Sequence, residues 1–145
     1  MKRFLCALMI LCLVPVCAFC ADLDDFNMYA SIFGEEEIDS KTLTKYPPYS
    51  MYNASGCTVA FYEDSGKVTR IIVEGDGDAF LAYSMVAIMF FDSSSEDFAE
   101  NAGQLLSAFL LCRNSSEGSA GQTKTGEIIY VEKAEKGYRF IVGSM

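Results

Sequence analysis

The segment DAFLAYSMVAIMFFD, residues 78–92, limits the fold more than any other stretch of the chain. Phe80, Leu81, Met85, Val86, Ile88, Met89, Phe90 and Phe91 cover nearly the whole circumference of a helix, and only a narrow strip around Ser84 and Ala87 is small. A helix that is apolar all round has to be buried on several sides. It is also shorter than the ~20 residues a membrane-spanning helix needs. Such a helix belongs between a sheet and other helices, or in a contact between copies of the chain.

The flanking pattern supplies that sheet. In GCTVAFYEDSGKVTRIIVEGDG, residues 56–77, Cys57, Val59 and Phe61 alternate with Thr58, Ala60 and Tyr62. Val68, Arg70, Ile72 and Glu74 then alternate with Thr69, Ile71 and Val73. The period of two is that of strands, and EDSGK between them carries the residues of a tight turn. A second hairpin is expected from EIIYVEK and GYRFIVG around AEK. ADLDDFNMYASIFG reads as a first helix with Leu23, Phe26, Ala30 and Phe33 on one stripe, stopped by Gly34. SSSEDFAENAGQLLSAFLLCR reads as a third, with capping-box spacing between Ser93 and Glu96 and a stripe of Phe98, Ala102, Leu105, Leu106, Phe109 and Leu110. Pro47 and Pro48 exclude regular helix from KTLTKYPPYSMYNASG, which is expected to be an extended connection with a short strand near 42–46. NSSEGSAGQTKTG reads as a polar loop. The expected fold is two-layer α+β: a four-stranded antiparallel sheet of two hairpins with helices on one face, in the order α-ββ-αα-ββ.

Residues 1–20 have the form of a cleavable signal peptide. Lys2 and Arg3 precede an uncharged apolar run from Phe4 to Val14, Pro15 breaks it, and Ala18-Phe19-Cys20 offers small residues where a signal peptidase looks. Cleavage after Ala18 would leave three cysteines, whereas cleavage after Cys20 leaves the pair Cys57 and Cys112, so a start at Ala21 is preferred. Taking those 20 residues from 145 leaves 125, enough for one secreted or periplasmic domain at 21–145 with its own core. Export favours a Cys57–Cys112 disulfide, worth about 4 kcal/mol by loop-closure entropy.

Without Lys2 and Arg3 the chain has 9 basic and 20 acidic residues, a net −11. That charge opposes nucleic acid and anionic lipid as partners. The sequence has no histidine, which removes Ser-His-Asp and Cys-His nucleophilic systems and most transition-metal sites. No CxxC or phosphate loop is present. Glu74, Asp76 and Asp78 in EGDGDAFLAYSM invite comparison with a calcium loop. That loop needs glycine sixth and glutamate twelfth, where Ala79 and Met85 stand, so the stretch reads instead as a strand end, a turn and a helix cap. No catalytic residue, metal ligand or cofactor is assigned.

KYPPYSMYN is the best candidate contact surface, because Tyr46, Tyr49 and Tyr52 recur by threes around two stiff prolines. The functional expectation is a secreted, non-catalytic binding domain whose partner is an extracellular protein, peptide or glycan. The alternatives are a carboxylate-dependent hydrolase of extracellular glycans, needing two acids across a cleft, and self-assembly through helix 78–92.

Overall fold

The computed structural model describes residues 23–46, 48–93 and 96–144. The expected leader, 1–20, lies outside them.

Helix α1 covers 23–32. A 3-10 turn at Ser40–Thr42 leads into four consecutive strands: β1 Thr44–Tyr46, β2 Tyr49–Ala54, β3 Cys57–Asp64 and β4 Lys67–Gly75. Helices α2 (Gly77–Phe91) and α3 (Phe98–Asn114) follow, then β5 Ser119–Gln122, β6 Ile128–Ala134 and β7 Gly137–Gly143. All pairings are antiparallel, in the order β1-β2-β3-β4-β7-β6-β5. The two meanders are joined where β4 meets β7.

This corrects the expected four-stranded sheet and its α-ββ-αα-ββ order. The sheet has seven strands, and the helices divide a run of four from a run of three. Each added strand has a physical reason for being hard to read. β2 lies directly after the two prolines, and of its inward residues Ser50, Tyr52 and Ala54 only Tyr52 is large. β5 is Ser-Ala-Gly-Gln, without a β-branched or aromatic residue, and is held at the edge by its backbone pairing with β6.

Tight turns set the register. Ala54 opposes Cys57 and Asp64 opposes Lys67, so β2–β3 and β3–β4 are joined by two-residue loops. Both loops are Ser-Gly, and both residues of each adopt positive φ, the backbone that matches strand twist in a hairpin. One register then runs through the sheet: Tyr52 opposes Val59, Val59 opposes Val73, Val73 opposes Phe140, and Phe140 opposes Val131. All five side chains are fully buried, because this face carries the helices.

The apolar helix lies in the middle of the helix layer. α2 packs on β4 and β7. On one flank Tyr83 stacks on Phe26 of α1 at 6.4 Å, and Phe26 meets Phe61 of β3 at 5.2 Å. On the other flank Phe80 lies 6.2 Å from Phe109 of α3. Sheet below and a helix on each side account for an apolar circumference within one chain. Each fully buried Phe, Val or Ile contributes about 1.5–3 kcal/mol relative to exposure. Ser84 satisfies its hydroxyl on the Phe80 carbonyl at 2.7 Å, and the Tyr83 hydroxyl donates to the Glu36 carbonyl at 2.6 Å. The Asp76 carboxylate caps α2 by accepting from the Gly77 amide at 2.7 Å. α3 starts later than the Ser93–Glu96 spacing suggests: its cap position is Asp97, whose side chain makes no capping bond. Among the described residues, no helix is long and apolar enough to cross a membrane.

Candidate functional site: the open face of the sheet

α1, α2 and α3 all pack on one face of the sheet. Among the described residues, no α-helix lies on the other. The strand register arranges that open face as three rungs running across the strands. The middle rung is apolar: Met51, Ala60, Ile72, Ile141 and Tyr130. On one side of it runs Tyr49, Tyr62 and Arg70. On the other runs Asn53, Thr58, Glu74, Arg139 and Glu132.

Ala60 is the smallest side chain on the middle rung and is 7% exposed. The larger residues around it form walls. The resulting groove holds about 250 Å³ and is lined by Tyr49, Met51, Thr58, Ala60, Ile72, Glu74 and Arg139. That is below the ~300–1,000 Å³ of pockets that enclose whole small ligands. It suits one bulky side chain of a larger partner.

Polar contacts make the walls rigid. Tyr49 and Tyr62 meet edge to face at 5.2 Å, and the Arg70 guanidinium lies 5.4 Å from the Tyr62 ring centroid. Arg139 holds two carboxylates: Glu74 through Nε at 3.0 Å and Nη2 at 2.9 Å, and Glu132 through Nη1 at 2.8 Å. The hydrogen bond to Glu74 is the main reason the guanidinium holds its proton even more firmly than usual. Glu74 and Glu132 do not face each other across open space. One cation stands between them and bonds to both.

The three tyrosines of KYPPYSMYN do not form one surface. Tyr49 is half-buried on the open face. Tyr52 is fully buried on the helix face, 5.6 Å from Phe61. Their separation by three residues in one strand puts them on opposite sides. Tyr46 pairs with Tyr49 at the β1–β2 corner, and its side chain lies outside the described part of the structure. Sequence reasoning missed Met51, Ala60, Ile72 and Arg139. Their signal was an outward strand face unusually rich in apolar and aromatic residues, but its connection through β4–β7 pairing is not encoded locally.

The expected Cys57–Cys112 disulfide is not present in this structure. Cys57 and Cys112 are both buried and both free. Cys57 is on β3, whereas α3 carries Cys112 over β5 and β6. β3 and β6 are three strand spacings apart, about 14 Å at ~4.8 Å each. A disulfide requires Cα atoms within ~7 Å. Burial pushes the Cys57 thiol up, with a smaller push from Glu35. No cluster of three metal-ligating side chains occurs among the described residues. Glu74 belongs to the ion triad and Asp76 to the helix cap.

Comparison with family models, with curated protein sequences and with solved structures finds no match to this chain.

Proposed function

We propose that this chain is a secreted, non-catalytic binding domain that takes its partner on the open face of the sheet. The observation that carries the reading is the groove over Ala60, set in an apolar rung on a face that none of the described helices covers. Half-buried tyrosine, methionine and isoleucine beside fixed charges are the composition of a recognition surface. The groove size favours a protein or peptide segment that inserts one bulky apolar side chain. The signal-peptide form of residues 1–20 supports an extracellular partner.

The test is a selection of displayed peptides on the immobilised domain, followed by affinity measurement against variants. Ala60→Phe fills the groove from the solvent side and leaves the helix face untouched. Peptides selected on the wild type are expected to bind Ala60→Phe at least tenfold more weakly, a loss of about 1.4 kcal/mol. Tyr49→Ala, at the groove wall, is expected to weaken them as well. Selected peptides that bind Ala60→Phe and the wild type equally would reject the open face as the site.

A further inference from the structure

Along β4 the open face changes character every two residues, from Arg70 to Ile72 to Glu74. Ile72 lines the groove over Ala60, so the groove lies between a charged end at Arg70 and another at Glu74. The two ends differ in what they leave unused. Arg139 bonds to both Glu74 and Glu132, so that end is paired internally, and one cation against two anions leaves it at −1. Arg70 lies opposite Tyr62, with its guanidinium 5.4 Å from the ring centroid, and donates to the Ser144 carbonyl at 3.3 Å. A guanidinium has about five N–H donors in a fixed fork. Among the described residues, no carboxylate forms an ion pair with Arg70. In a chain with 20 acidic residues, such an arginine on an open face offers its remaining donors to an acid of the partner.

We infer that the peptide segment filling the groove carries a carboxylate two residues from its inserted apolar side chain, and that Arg70 selects it. This rests on the open face being the binding site. An extended segment places alternate side chains on one side, about 6.6–6.8 Å apart, the same step that separates Ile72 from Arg70. A segment lying along β4 with a bulky side chain over Ala60 therefore brings the group two residues away to the Arg70 guanidinium. The Tyr62 ring holds that guanidinium in place, so the carboxylate meets a donor fork already positioned for it. The reverse polarity is disfavoured, because an acid at the other end meets the excess negative charge of Glu74, Arg139 and Glu132. The chain's net charge of −9 repels runs of acid at long range. The fit is to one carboxylate beside an apolar residue, not to a polyacidic ligand.

Displayed peptides selected on the immobilised chain test this. Those that prefer the wild type to Ala60→Phe are expected to share Asp or Glu two residues from a bulky apolar residue. Their synthetic forms should bind Arg70→Gln more weakly by about tenfold or more, and changing the peptide's acid to its amide should cost the wild type a similar factor. The peptide-side change reads the contact on an unaltered protein, so it stands even if the variant folds poorly. Arg70→Glu should bind the peptide with lysine in place of its acid better than the parent peptide. Peptides that lose binding to Ala60→Phe but bind Arg70→Gln and the wild type equally would overturn the carboxylate inference and leave the open face standing. Peptides indifferent to Ala60→Phe, or a selection in which none prefers the wild type, would overturn both.

Discussion

Single residues fix geometry that neighbouring strands then share. Gly137 opens β7 at φ +99°, and a Cβ there would come 2.2 Å from the Gly75 carbonyl oxygen. Backbone cannot yield as a flexible side chain can. Gly137→Ala is therefore expected to destabilise by about 3 kcal/mol, read by urea unfolding. A loss under about 1 kcal/mol would mean that the end of the β4–β7 ladder relaxes freely. Arg139 sets a contrast. Its side chain is 42% exposed, so water screens its two ion pairs despite their good geometry. Arg139→Met should cost only about 1 kcal/mol in the same measurement, with its larger effect on partner binding at the groove.

Elements are held by their ends and by polar links between them. α2 has little helix-forming charge, and its start depends on the Asp76 cap. Asp76→Ala is expected to cost about 1 kcal/mol, measured by thermal or chemical melting. A second link joins the turn after α2 to α3 and to the loop after β5. The buried Asn101 amide donates to Asp92 at 2.7 Å, and its oxygen accepts from the Lys124 backbone at 3.4 Å. Asn101→Ala leaves the buried Asp92 carboxylate with one donor fewer. The expected loss is about 1–3 kcal/mol, larger than for the exposed cap. Equal effects for the two variants would show that water replaces the Asn101 contact.

For the whole molecule, the buried ionisable groups set the alkaline limit. Burial pushes the Cys57 thiol above its ordinary 9.0 and the Tyr83 phenol above its ordinary 10.0. The unfolded chain therefore releases these protons before the folded chain does. The associated stability is complete below the unfolded values and is lost as pH rises through the raised folded ones. Melting temperature is expected to fall from about pH 9 upward, and more shallowly in Cys57→Ala. An identical alkaline slope in wild type and Cys57→Ala would remove Cys57 from this account.

Local periodicity was enough to read three helices, the β3–β4 and β6–β7 hairpins, and the need to bury residues 78–92. Those depend on repeats within a few residues and on the cost of exposing apolar area. β2 and β5 were not legible, because one is announced by prolines and the other by small polar residues. The tyrosines near 49 were visible as a feature, but the opposite fates of Tyr49 and Tyr52 depend on membership of a strand. Tertiary structure alone decided that β4 pairs with β7. That pairing brings Glu74 to Arg139 and completes the open face. It also set Cys57 on β3 and Cys112 over β5 and β6. Such contacts join residues far apart in sequence, and their selection comes from closing one core, which no local pattern records.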